Sequence, residues 1–568
     1  MLGYGHGHVY RLCDTIFPQI LLGQFWGATV RNLPLAEVAI SMDIKCVTQG
    51  KQAIIQRCLT AAVLLFLAAC GGGGGSSPNP SVSGSSSGSN SGSGWVANQF
   101  NPASQYKDLC ANPRSTGSYN DRQGTTTDEN FWLRSYSNDT YLWYSEIADV
   151  DPGSVNKTAD YFDLMKTTAL SPSGKKKDQF HFTYDTEVWK QLSQSGISAG
   201  YGARFSLISS SPPRSIIVAY NEPNSAADNN NLTRGASIIS VDGAAVEDGD
   251  AAVLNAGLFP DDVGESHEFV VKDAGATETR TITLVSALVT SAPVQNVATM
   301  MVNGATVGYL TFNEHIAPAE LQLIDAVNQF NTVVIDDLVL DLRYNGGGYL
   351  DIAAELGYMI AGPNSAGQVF NEITFNDKYP SFDPVTGEAL TPTIFPNKAL
   401  GFSAETGAIL PSLNLSRVFI LSSNGTASAS EALINGLRGI GVEVILIGDT
   451  TRGKPYGFYA ADNCSTTYFT VQFKGANAIG FGDFSDGFAP VLSADLSGAN
   501  VTGCVVGDDL SHSLGDSEEN QLAAALAFIE TGSCPITPLS QSSMAPSEVN
   551  PLASTFGRIM KPQLGTIY

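Results

Sequence analysis

Residues 338–348 read Leu338-Val339-Leu340-Asp341-Leu342-Arg343-Tyr344-Asn345-Gly346-Gly347-Gly348. The run Leu338–Leu342 has the length and apolar character of a buried strand, and Asn345 with three glycines ends it. A helix is predicted from about Tyr349 to Ile360. Upstream, Val307–Phe312 predicts a strand, and Ala319–Phe330, with apolar residues three and four apart, predicts a helix. Downstream, Arg417–Leu421 reads as a strand, Ala427–Leu437 as a helix and Val442–Ile447 as another strand. This alternation across residues 305–530 predicts an α/β fold class with a layered βαβα core.

Three stretches at strand-to-helix turns carry chemistry. In Asp341–Gly348 the glycines free the backbone to aim N–H groups at an anion beside a helix N-terminus. In Ser422-Ser423-Asn424-Gly425-Thr426-Ala427-Ser428-Ala429-Ser430-Glu431 a serine between strand and helix projects its hydroxyl at the strand ends, although Ser and Thr there also serve as helix caps. Gly448-Asp449-Thr450-Thr451-Arg452-Gly453-Lys454 spells the phosphate-loop pattern G-x-x-x-x-G-K. Pro455 stands where a magnesium-ligating Ser or Thr belongs, which argues against a nucleotide. What remains is a lysine on the loop after the next strand.

Residues 195–287 differ in character. Short β-type runs (ARFSLI, SIIVAY, ASIISVDG, HEFVVKD, TRTITLV) alternate with Gly, Asn, Asp and Pro. The segment Gly200-Tyr201-Gly202-Ala203 followed by Arg204-Phe205, with GASIISVDG further on, resembles the PDZ domains of bacterial proteases. That resemblance implies a loop of backbone N–H groups for a peptide's C-terminal carboxylate, with the peptide added as a strand. Residues 95–190 are aromatic-rich and predict a small, partly helical N-terminal domain. Residues 70–94 form a Gly/Ser tether.

The chain has 568 residues, enough for several domains, and 43% hydrophobic residues exclude wholesale disorder. With 30 Lys+Arg against 55 Asp+Glu the net charge is −25, which repels nucleic acid. No apolar run reaches membrane-spanning length. The run ending Leu67-Ala68-Ala69-Cys70, preceded by Lys51 and Arg57, reads as a secretory signal and resembles the lipobox of bacterial lipoproteins. The resemblance implies removal of residues 1–69, lipidation of Cys70 and a membrane anchor. With Gly71 next, the expected location is the cell envelope, on the outer membrane facing the periplasm. Cys110, Cys464, Cys504 and Cys534 then remain, an even number that predicts two disulfides. Of the three connectivities, Cys464–Cys504 is favoured because both lie in one C-terminal region. Neither CxxC nor HExxH occurs, the FGDFSDGF loop around Asp483 and Asp486 fits no calcium motif and reads as solvated, and no metal or cofactor is expected.

Taken in order, the PDZ-like segment, Asp-Leu-Arg-x-Asn-Gly-Gly-Gly, Thr-Ala-Ser-Ala-Ser-Glu and Gly-Lys, the lysine 26 residues after Ser428, resemble the carboxy-terminal processing (tail-specific) serine proteases over about residues 195–460. The resemblance implies a crotonase/ClpP-like protease core (residues 291–534) preceded by the PDZ-like domain, with a tail at 535–568. It implies Ser428 as nucleophile, Lys454 as general base, Glu431 beside the dyad, and an oxyanion held by N–H groups of Gly346 or Gly347 and of Ala429. The substrates implied are exported proteins or peptides with free C-termini. For such a pair, Lys454 Nζ is expected within hydrogen-bond reach of Ser428 Oγ, about 2.6–3.2 Å or looser without ligand. One position departs from the family: a glutamine commonly follows the lysine by four residues, and here Phe458 stands there. Phe458 supports an alternative, a catalytically weak or inactive lipoprotein that binds peptides or hydrophobic ligands on the same fold. His315 reads as a hydrogen-bonded residue at a strand end, with a Ser–His pairing as the rival reading.

Overall fold

The computed structural model describes residues 94–535. The leader 1–69, Cys70, nearly all of the tether and the tail from 536 onward lie outside the described residues.

The apolar runs around the glycine motif build the central sheet. Strands Val294–Val302, Ala305–Phe312, Asp337–Asp341, Arg417–Ser422, Glu443–Gly448, Asn500–Val505 and Ala489–Val491 lie side by side in that order. The first pair is antiparallel and the rest are parallel. Parallel strands covered on both faces have no polar side to show, and every residue of Asp337–Asp341 is buried. Alternate residues divide between the faces. Leu338, Leu340, Val418, Ile420, Val444 and Leu446 pack with helices Ala319–Val333, Leu350–Ala361 and Ala429–Gly439. Val339, Phe419, Leu421, Ile445 and Ile447 pack with helix Asn520–Thr531. The seven elements given ranges from the sequence fall within three residues of them, whereas Val294–Val302, Ala489–Val491, Asn500–Val505 and Asn520–Thr531 were given none.

Residues 197–290 form a β-rich domain with its own core around Val218, Ile238, Leu254, Phe269 and Leu284. Its sheet ends on the strand Ala203–Ser209, which pairs only with Ser215–Asn221.

The N-terminal segment has helices Thr126–Thr140, Thr158–Leu164 and Thr186–Ser195. The last runs past residue 190 and leads into the β-rich domain. Strand Phe182–Asp185 joins Thr466–Phe469 of the C-terminal half, and a dense aromatic cluster (Tyr141, Trp189, Phe458, Phe469) fills the seam. The disulfides correct the expected pairing: they are Cys110–Cys464 and Cys504–Cys534. Cys464 sits in the hairpin that receives the N-terminal strand, so its partner lies 354 residues away. Cys504 belongs to the core cluster on the Asn520–Thr531 side, against which Cys534 packs.

Candidate active site

Register brings the three motif loops together. Asp341 is level with Leu421, and Ser422 is level with Gly448, so all three loops leave the same end of adjacent parallel strands. Ligand clefts of α/β sheets lie at that end. The loops are stitched to one another: the Asn345 carbonyl accepts from Ala427 N and from Ser430 Oγ, each at 3.1 Å, and Thr426 Oγ1 donates to the Leu342 carbonyl at 2.8 Å.

Ser428 occupies the sharp turn before helix Ala429–Gly439 with φ 60° and ψ −116°. A non-glycine residue there costs about 1–3 kcal/mol and persists only where its surroundings enforce it. The same kind of strained strand-to-helix turn presents nucleophilic serines elsewhere. Glycine at 347 is required by this turn, because a Cβ there would stand 2.7 Å from Ser428 Cβ and 2.9 Å from Ala429 N.

Glu431, one turn into the helix, fastens the site. Its Oε2 accepts the N–H of Ser428 at 2.9 Å and of Lys454 at 2.8 Å. Its Oε1 accepts the Thr451 hydroxyl at 2.6 Å and the Gly453 N–H at 2.7 Å. Burial pushes this carboxyl above its ordinary value, with the four donors resisting. Glu431 therefore grips the backbones of both Ser428 and Lys454 rather than the side chain of either.

Lys454 is 4% exposed. Its Nζ lies 4.2 Å from the Phe458 ring centre and 5.5 Å from that of Phe180. Burial is the largest influence on the amine and brings it down to about 7; Glu431 and Asp178 pull upward, and Arg452 pushes it lower. Ser428 and Lys454 line one small cleft, walled by Leu350, Asn371, Ala432, Phe473 and Phe484. The expected hydrogen bond between them is not made: Ser428 Oγ is buried with no hydrogen-bond partner among the described residues, and the lysine amine lies 4.2 Å from the Phe458 ring centre.

The glycine loop narrows the sequence reading. Gly347 N donates to Asn345 Oδ1 at 2.9 Å, so its N–H is turned away from Ser428. The N–H groups of Gly346 and Ala429 make no hydrogen bond among the described residues. His315 is fully buried with Nδ1 3.0 Å from Asn345 Oδ1, and burial lowers its ring to about 4. It supports the glycine loop and makes no hydrogen bond to Ser428. The FGDFSDGF loop is a correction: Phe484 and Phe488 are buried, and Phe488 N donates to Thr451 Oγ1 at 2.7 Å, so the loop forms a wall of the cleft. Phe484, Asn371 and Phe180 were missed because nothing local sets them apart from ordinary core or loop residues.

Gly200, Tyr201, Gly202 and Ala203 lie in the β-rich domain. Tyr201 is a core side chain whose hydroxyl donates to the Gly257 carbonyl at 2.9 Å. The N–H groups of Tyr201 and Gly202 make no hydrogen bond among the described residues. Cys70 lies outside the described residues.

An α/β protein with a serine turn, a glycine loop and a buried lysine at one end of its sheet is the class that this fold and site define. Within it, residues 306–458 match the model of peptidase family S41. The chain is similar to the carboxyl-terminal-processing protease of Picosynechococcus sp., 28% identical over 152 residues that cover 27% of this chain and 30% of that relative. The match thus spans under a third of the relative's length. The crystal structure of a Bacteroides fragilis NCTC 9343 protein assigned to the S41 proteases aligns with TM-score 0.51 at 23% identity, over 73% of this chain and 99% of that one. That likeness shows the fold.

Proposed function

We propose that the protein is a serine endopeptidase with a Ser428–Lys454 dyad on a crotonase/ClpP-like core, cutting exported proteins near free C-termini. The observation that carries this reading is the strained Ser428 turn sharing a cleft with a lysine amine that burial has lowered to about 7. A neutral Lys454 accepts the Ser428 proton as Oγ attacks the peptide carbonyl. The C–O bond forms, the carbonyl becomes an oxyanion, and Gly346 N–H and Ala429 N–H at the helix N-terminus stabilise it. The ammonium then returns its proton to the departing amine as the C–N bond breaks. Water hydrolyses the acyl-enzyme by the same route. Glu431 holds the backbones of nucleophile and base in register.

Residues 197–290 act as a PDZ-like receptor in this reading. The N–H groups of Tyr201 and Gly202 meet the substrate's carboxylate, and the edge strand Ala203–Ser209 takes the peptide as an added strand. Cys70 anchors the protein by lipid in the bacterial outer membrane, facing the periplasm.

Ser428→Ala is expected to abolish cleavage of an unfolded protein and labelling by a fluorophosphonate. Undiminished proteolysis by that variant rejects the dyad. The absence of a Ser428 Oγ hydrogen bond favours a second reading, a peptide binder without turnover. Failure of the unmodified protein to react with fluorophosphonate, with peptide binding retained, would establish it.

A further inference from the structure

The shielding of Lys454 comes from two directions, and one lies outside the family match. Phe458, on its own loop, lies beneath the amine. The ring on the other flank is Phe180, from the N-terminal segment. Phe180 is held in place rather than loosely draped. The buried Asp178 carboxylate accepts the Phe180 N–H at 2.9 Å and the Tyr141 hydroxyl at 2.7 Å. The Tyr141 hydroxyl in turn accepts the Thr167 N–H at 3.0 Å. The Phe180 ring also meets Tyr456, which packs edge-on against Trp143 at 4.8 Å. The strand pair Phe182–Asp185 with Thr466–Phe469, and the Cys110–Cys464 disulfide, fasten this segment to the body that carries Lys454.

We propose that Phe180 is a positioning residue of the active site, by which the N-terminal segment closes the Lys454 amine off from water. This inference rests on the reading of Lys454 as general base. A ring face near an ammonium also attracts it, which would favour the charged form. That attraction weakens towards about 6 Å, and Phe180 at 5.5 Å lies near its outer edge, whereas exclusion of water from a buried amine moves its titration by whole units. Shielding therefore wins at Phe180. The charged groups that act on the amine are Glu431 from the serine helix, Asp178 from the N-terminal segment, itself 3.5 Å from the His181 ring nitrogen, and Arg452 from its own loop; changing the Phe180 side chain replaces none of these residues and keeps the backbone N–H that Asp178 accepts.

The test combines turnover with direct titration. kcat/KM on an unfolded protein is measured from pH 5 to 10 for the unmodified protein, Phe180→Ala and Phe180→Leu. The acid limb of Phe180→Ala is expected to move up by about one pH unit, a roughly tenfold loss at pH 6, with the alkaline plateau nearly unchanged; Phe180→Leu is expected to restore the limb. Should Phe180→Ala not fold, Phe180→Gln, which fills more of the space than alanine but is polar, is expected to give the same upward movement. The Lys454 Nζ titration is followed by NMR in a Ser428→Ala background with and without the Phe180 change. An amine that titrates identically in both overturns the proposal, as does an equal loss of turnover at every pH. An amine that moves upward while the turnover profile stays put upholds the shielding and rejects Lys454 as the base.

Discussion

Lys454 Nζ lies 4.2 Å from the centre of the Phe458 ring, four residues further along the same loop. At this position the protein supplies an apolar floor. The floor excludes water and lowers the amine, while the ring face itself attracts the ammonium and opposes that effect. Burial is the largest influence on the amine and brings it down to about 7.

A lysine that titrates at about 7 makes the rate rise with pH through that value, because only the neutral amine takes a proton. The acid limb of kcat/KM is expected to have its midpoint near 7, and Lys454→Met to lose about 10³-fold or more on the plateau. A steady-state pH profile checks both. A rate independent of pH from 5 to 9 contradicts the assignment.

Phe458→Leu keeps an apolar floor but removes the ring face. A face contact at this range favours the ammonium by about 0.5–2 kcal/mol, so its loss lowers the amine further. The acid limb is expected to move down by about half a unit to one unit, opposite in sign to Phe180→Ala. The same pH profile decides it, and an upward movement would mean that the leucine admits water.

Glu431→Gln replaces one acceptor oxygen by an NH₂ donor facing N–H groups. Either the Ser428 and Lys454 pair or the Thr451 and Gly453 pair loses its acceptor. Each buried N–H left unpaired costs about 1–3 kcal/mol. Differential scanning calorimetry should show a Tm lower by about 5 °C or more, with kcat reduced while KM changes little. Unchanged Tm and kcat would show that the carboxylate is not the clamp described.

Glu320 and Glu355 are both fully buried, and they hold the backbone of residues 400–404. Glu320 accepts N–H groups of Gly401, Ser403 and Ala404, and Glu355 Oε1 accepts that of Leu400 at 2.7 Å. Glu355 Oε2 has no protein donor, and burial together with neighbouring Glu320 pushes its carboxyl well up while Glu320 is held down. Glu355 is therefore the member of the pair that holds its proton at neutral pH. A carboxyl raised on folding contributes stability that is complete below its ordinary value of 4.5 and declines as pH rises above it. Glu355→Gln keeps a donor toward Glu320 without a titrating proton. Its Tm is expected to fall less than that of the unmodified protein between pH 6 and 9, and parallel Tm curves would refute a proton held on Glu355.

The strand–helix alternation and the three loop motifs were legible in the sequence because each depends on neighbours. Apolar runs of strand length, helical spacing of apolar residues and glycines at turns act over a few positions. Ser428, Lys454, Glu431, Ala429 and the glycine loop were therefore identifiable as candidates from spacing and family resemblance. Only the tertiary structure decided how these groups face one another. The register of adjacent parallel strands set the three loops side by side, the Asn345 side chain turned the Gly347 N–H away, and the lysine came to rest over Phe458 rather than on Ser428 Oγ. Phe180 reaches Lys454, and Cys110 reaches Cys464, from hundreds of residues away in the chain. Contacts of that kind arise when separately formed surfaces bury apolar area against each other, and no local pattern of residues encodes which surfaces will meet.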